Sequence, residues 1–203
     1  MEKIYTGKFI VFEGLDGSGQ TTQTNLLKDF LSKRGYRVLI TKEPTLDSQA
    51  GKLIRAALDK EKEFSPKELQ QLFAEDRKEH VNNVIIPALQ TGIWVISDRY
   101  FFSSFAFGAS DGIDLEWLIK INKEFLLPDV TFLLQVSPEV CVQRIQTRGK
   151  SLQLFEYEEK LKNVWKAYKK VEDRFNVIRI IDGEQSIEKV SENVTSIIQK
   201  TLF

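Results

Sequence analysis

Apolar and polar residues fall in blocks along this chain, and the blocks are of two kinds. Short apolar runs stand at Phe9–Phe12, Arg37–Thr41, Ile93–Ser97, Val130–Val136 and Val177–Ile181. They are rich in Val, Ile and Phe and show little polar alternation, which predicts strands buried on both faces. Between them lie longer stretches whose apolar residues recur three or four apart, as at Leu26, Leu27, Phe30 and Leu31. That spacing predicts helices over Thr21–Arg34, with Gly35 as the stop, and over about Gln49–Leu58. Pro66 suits the first residue of a long helix running to about Gln90, with Pro87 kinking it or marking its last turn. Further helices are predicted over Leu115–Phe125, Pro138–Thr147, Phe155–Arg174 and Ile187–Lys200.

Strands separated by helices predict an α/β fold: a five-stranded parallel sheet flanked by helices on both faces. No repeat, low-complexity tract or Pro/Gly-rich linker divides the chain, so residues 1–203 are expected to form a single domain. In such sheets ligands sit beyond the carboxyl ends of the strands, which directs attention to the segments after Phe12, Thr41 and Ser97.

Composition narrows the function. Of 203 residues, 29 are Lys or Arg and 29 are Asp or Glu, so the net charge is zero. This balance argues against a dedicated nucleic-acid binder and a polybasic membrane anchor. The lone Cys141 has no partner for an internal disulfide, which fits a reducing compartment, and with the lone His80 it is too few for a usual zinc set. Cys141 is expected in the core and His80 on the surface or packed between helices. The first residues carry charges and a glycine turn where a signal peptide needs an apolar run, and no stretch reaches a membrane span, so a cytoplasmic location is expected.

The most informative segment is Gly14-Leu15-Asp16-Gly17-Ser18-Gly19-Gln20-Thr21, between the first predicted strand and helix. It matches G-x-x-x-x-G-K-[ST] except that the lysine is Gln20. Small residues let backbone N–H groups curl around phosphate oxygens, and the following helix adds its positive end. Thr21 can place a hydroxyl on Mg²⁺. Gln20 can donate a hydrogen bond but supplies no charge. The alternative is a glycine-rich turn with no ligand.

With its neighbours, this segment resembles the thymidylate kinase family. Phe12 to Gly19 and Thr21-Thr22-Gln23 resemble its phosphate loop; Glu43-Pro44-Thr45, Phe73 to Arg77, Ser97 to Tyr100, Ser103 to Phe107, Pro128-Asp129 and Arg144 to Arg148 follow in the family's order over nearly the whole chain. The resemblance implies transfer of the γ-phosphoryl of ATP to dTMP, with Mg²⁺, a homodimer and a mobile lid at about 148–155. It also implies site residues. Gly14, Asp16, Gly17, Ser18, Gly19, Gln20, Thr21 and Thr22 would hold the ATP phosphates. Asp16 would accept a hydrogen bond from the deoxyribose 3′-hydroxyl, Phe73 would stack on thymine and Arg77 would bond its edge. On spacing alone Phe73 reads as core and Arg77 as surface; a turn-forming role is the alternative for Asp16. Asp98 would help Thr21 hold Mg²⁺, and Arg99 would bind the acceptor or transferring phosphate; the alternative is a surface ion pair. Phe107 would abut C2′ of the sugar unless it is plain core, with Ser103 and Ser104 nearby. Lys42 stands where the family usually has an arginine and is expected at the acceptor phosphate.

The family carries a basic residue either in the phosphate loop or in the lid. The loop position here is Gly17, so the chain resembles the lid type, with Arg144, Arg148 or Lys150 replacing the charge that Gln20 lacks. Two other readings remain: a silent nucleotide-binding protein, supported by Gln20 alone, and a related kinase acting on dUMP or another pyrimidine deoxynucleotide or a deoxynucleoside.

Overall fold

The computed structural model describes residues 5–45, 47–147 and 154–203. Five parallel strands form one sheet: β1 (Phe9–Gly14), β2 (Val38–Lys42), β3 (Trp94–Asp98), β4 (Val130–Gln135) and β5 (Ile178–Asp182), in the order β2-β3-β1-β4-β5. The expected class is therefore found. β1 is the centre, with Phe12 in register with Asp98 on β3 and with Phe132 on β4. Successive side chains of a strand point to opposite faces. Phe9 and Val11 therefore join one core with Tyr100, Phe105, Val164 and Tyr168, while Ile10 and Phe12 join another with Leu27, Leu31, Phe132 and Val194.

Helices α1 (Gln20–Ser32) and α9 (Ile187–Thr201) cover the second core. The first is covered by α5 (Phe101–Ser110) and α8 (Leu154–Glu172), with α2 (Gln49–Leu58) and α3 (Pro66–His80) at its flank. Two further helices, α6 (Leu115–Asn122) and α7 (Pro138–Thr147), lie in the connections around β4. A Ser65/Glu68 capping box and Pro66 start α3 as the residue types require.

The structure differs from the expected pattern in two places. The long helix is interrupted: α3 ends at His80, a π-helical segment spans Val81–Ile85, and α4 (Ile86–Gln90) follows. Pro87 has no N–H to donate, and the wider π turn absorbs the break. More important, α5 was not expected. Its sequence, FFSSFAFGAS, carries no charge and little polar stripe to mark it as amphipathic: Phe101, Phe102, Ser104, Phe105, Ala106 and Gly108 are buried, and the face of Ser103, Phe107 and Ser110 is half-buried. A helix this apolar over most of its circumference is stable only when packed into a core.

Candidate active site

The carboxyl ends of β1, β2 and β3 open on one crevice, at the point where the strand order reverses. The phosphate loop leaves β1 there. Gly17 has φ +89°, and a Cβ built on it would lie 2.7 Å from the Cys141 carbonyl oxygen. No side chain, basic or otherwise, fits at this position without moving α7. Cys141 itself is buried in the core as expected, and burial pushes its thiol up to about 12.

Gln20 opens α1 and is buried. Its Nε2 donates to the Gly14 carbonyl at 2.9 Å, and its Oε1 accepts from the Ser18 hydroxyl at 2.9 Å. The carboxamide thus braces the two sides of the loop. Next to it the Thr21 hydroxyl donates to Asp98 Oδ2 at 2.6 Å, and Lys42 Nζ reaches the same oxygen at 3.1 Å. The carboxylate is 5% exposed.

Arg99 follows the last residue of β3 with φ +76°, an uncommon left-handed conformation for a non-glycine residue. Its guanidinium donates to the Gly14 carbonyl (2.9 Å), the Ser103 hydroxyl (3.0 Å) and Asp16 Oδ1 (2.6 Å). Asp98 and Arg99 therefore do not form a surface ion pair: each is largely buried and bonded to another partner. Asp16 also accepts from the Tyr157 hydroxyl of α8 at 2.7 Å, so it is more than a turn residue. Burial would raise its carboxyl, but the Arg99 guanidinium and Tyr157 hydroxyl hold it below the usual carboxylate value. Burial likewise works against the Arg99 charge, yet Asp16 and its other acidic neighbours hold the proton more tightly than usual.

Arg77 is 1% exposed, not on the surface. Its Nε bonds Glu43 at 2.7 Å, Nη1 bonds Asn122 at 2.5 Å and Nη2 bonds Ser104 at 3.2 Å. His80 is buried too, with Nδ1 3.0 Å from Glu43 Oε1, so its packing reading holds and its surface reading does not.

Two adjoining cavities take up most of the expected residues. Asp16, Gly17, Gly19, Gln20, Thr21, Thr22, Lys42, Asp98 and Arg99 line one of about 520 Å³. Asp16, Phe73, Arg77, Arg99, Ser103, Ser104 and Phe107 line another of about 200 Å³. Phe73 and Phe107 are half-buried at its wall, so neither is plain core. Arg144 stands apart from both. It bonds the carbonyls of Ser18 and Gly183 and lines a third cavity, of about 420 Å³, with Ser18, Thr22 and Gln185. Arg148, Gly149, Lys150 and nearly all of the expected lid lie outside the described residues.

Sequence reasoning missed Glu13 and Tyr157. Glu13 is fully buried, accepts from the backbone of Tyr100 and Ser103 and from the Tyr168 hydroxyl, and pins the start of α5 to β1 and α8. Burial pushes its carboxyl up to about 7, against the pull of Arg99, Ser103 and Tyr168. A charged residue closing an apolar strand run was the available signal. Tyr157 carried none, lying in an ordinary amphipathic stretch.

Comparison with known proteins places this site among nucleotide kinases. The family model for thymidylate kinase matches residues 12–194. A probable thymidylate kinase of Pyrococcus horikoshii is 40% identical, over 97% of this chain and 98% of that one. A thymidylate kinase of Caldicellulosiruptor saccharolyticus is 37% identical, with the same coverage. A solved structure of thymidylate kinase from Candida albicans superposes with a TM-score of 0.81 at 26% identity, covering 96% of this chain and 92% of that one.

Proposed function

The chain belongs to the thymidylate kinase family, and from that premise we propose how its residues carry the reaction. The enzyme transfers the γ-phosphoryl group of ATP to dTMP, giving dTDP and ADP. The observation that carries the residue assignment is the position of Arg99. It lines both the loop cavity and the aromatic cavity, with Asp16 beside it. A cation at that junction can touch both anions that must meet in line.

In this reading the loop from Gly14 to Thr22 cradles the ATP phosphates with backbone N–H groups, and dTMP enters the aromatic cavity. Phe73 stacks on the base, Arg77 bonds its edge, Phe107 faces C2′ and Asp16 accepts from the 3′-hydroxyl. The Tyr157 and Arg99 contacts aim Asp16, and its lowered pKa keeps it an acceptor at neutral pH. Arg99 and Lys42 offset the acceptor phosphate charge. Arg144 belongs to the ATP side, where it ties the loop to the β5–α9 turn. Basic residues from 148–150 supply the charge near the transferring group that Gln20 cannot.

Mg²⁺ fits the oxygen pair Thr21 Oγ1 and Asp98 Oδ2. Both are hard donors at the loop's mouth, and this ion is usually held by one or two protein oxygens with the rest from phosphate and water. Bound there, it would neutralise the developing phosphate charge. No described helix is long and apolar enough to cross a membrane. The single buried cysteine supports a cytoplasmic enzyme, the zero net charge supports one without a nucleic-acid partner, and the family resemblance supports a homodimer.

A silent nucleotide-binding protein is not favoured. Gln20 is its only support, and a protein without chemistry has no use for Arg99 held at the junction of two cavities. A coupled ADP-release assay with ATP, Mg²⁺ and dTMP, dUMP, dCMP or thymidine tests the reading. Turnover with dTMP well above the others is expected; none with any acceptor, alongside measurable ATP binding, would overturn it.

A further inference from the structure

A carboxylate lies sealed behind the junction of the two cavities. Glu13 is the one charged residue of β1, is fully buried, and lines neither cavity. Burying a charge is costly, and well-packed apolar side chains often fill such a place more stably. Its four contacts are all donors. Oε1 accepts from the N–H groups of Tyr100 (2.9 Å) and Ser103 (3.1 Å). Oε2 accepts from the hydroxyls of Ser103 (2.5 Å) and Tyr168 (2.9 Å).

Two of these bonds bear directly on Arg99. The Ser103 hydroxyl has one proton, and Glu13 takes it, which leaves the oxygen's lone pairs to the Arg99 Nη1–H at 3.0 Å. The Tyr100 N–H belongs to the peptide that follows Arg99. On the other side the Arg99 N–H donates to the Phe12 carbonyl at 2.9 Å, and the Arg99 carbonyl accepts from the Ser97 hydroxyl at 2.7 Å. The left-handed backbone of Arg99 is thus held at every polar group, as a conformation of this kind requires in order to persist. Helix α5 has no side-chain cap at Tyr100, so Glu13 also supplies its missing acceptor from β1. Burial raises the Glu13 carboxyl, and Arg99 exerts the strongest pull against that rise, so the two charges act on each other as well.

We infer that Glu13 is a positioning residue for phosphate binding: its carboxylate orients the Ser103 hydroxyl and pins the peptide after Arg99, and so aims that guanidinium at the acceptor phosphate. This rests on the dTMP kinase reading and extends it to a group that touches no substrate. A side chain that only filled the core or capped α5 would act alike on both nucleotides and independently of Arg99.

Glu13→Gln, Arg99→Ala and the double variant form a cycle that tests it, with Kd values read by calorimetry at pH 8, above the carboxyl's value of about 7. The glutamine keeps one oxygen for the two backbone N–H groups and loses the charge and the second acceptor. It should raise the Kd for dTMP about tenfold and leave that for ATP within twofold. In the Arg99→Ala background the same change should move the dTMP Kd by less than twofold. A dTMP Kd less than threefold above wild type, or an equal loss with and without Arg99, overturns the inference, while dTMP turnover by the wild type keeps the kinase reading. A Glu13→Gln protein that melts well below the wild type and weakens ATP and dTMP alike marks a packing role and also overturns it. If Glu13→Gln does not fold, Ser103→Ala takes its place in the cycle, cutting the link while leaving the carboxylate three donors, and the same outcomes decide. Absence of dTMP turnover in the wild type removes both readings.

Discussion

Gln20 replaces a cation with an amide whose two ends are occupied inside the loop. The loop therefore keeps its shape without the charge, and the charge must come from elsewhere. Removing one hydrogen-bond donor aimed at charge developing in a transition state typically costs about 10²–10³ in rate. If basic residues at 148–150 fill that role, Gln20→Lys changes kcat by less than about tenfold, whereas Arg148→Ala or Lys150→Ala lowers it by about 10²–10³. Equal kcat in the wild type and both alanine variants would refute compensation from that segment. Glu13 makes a second prediction. Its carboxyl is raised from 4.5 to about 7 by burial, so between those values the unfolded chain loses the proton while the folded chain keeps it. Stability from this group is full below pH 4.5 and is lost as pH rises through 7, by roughly 3 kcal/mol in all. Urea unfolding at pH 5 and pH 8 should show that loss in the wild type and not in Glu13→Gln. Parallel pH profiles for the two proteins would rule it out.

At the scale of elements, the site depends on how α3 is tied to the segment after β2. Asp76, buried on α3, accepts from the Thr45 backbone N–H at 2.8 Å and from the hydroxyls of Thr45 and Ser48. Ser48 in turn caps α2 through the Gly51 N–H. One carboxylate thus anchors the stretch that brings Lys42, Glu43 and Pro44 to the loop cavity. Asp76→Ala leaves those donors unpaired and should cost about 1–3 kcal/mol in denaturant unfolding. It should also raise the KM for dTMP more than that for ATP, because α2 and α3 flank the acceptor side. A stability loss with both KM values unchanged would show that the tie serves folding alone.

For the whole molecule, both substrates bind the folded chain and so stabilise it by mass action. Either ligand at a hundred times its Kd adds about 2.7 kcal/mol, roughly 5–11 °C in Tm for a domain of this size. Arg99→Ala should cut the dTMP shift more than the ATP shift, since Arg99 reaches Asp16 and Ser103 on the acceptor side. Thermal melts with each nucleotide decide this, and an unchanged dTMP shift would remove Arg99 from that pocket.

The alternation of buried runs and helical spacing determined the strands, their parallel class and most helices, because a strand covered on both faces needs continuous apolar residues and a surface helix needs a stripe. It left α5 unread, since a helix buried over most of its surface, with its remaining face half-buried, has no charged stripe to show. Phe73 and Arg77 read as core and surface from spacing, and only the packing of α3, α5 and α6 turned one into a cavity wall and the other into a buried cation with three side-chain partners. The phosphate loop was legible because its glycines, its strand and its helix are neighbours in the chain. The joining of Asp16 to Tyr157 and of Glu13 to Tyr168 was not. These contacts link residues that are distant in sequence, and their chemistry comes into being only when the chain closes on itself.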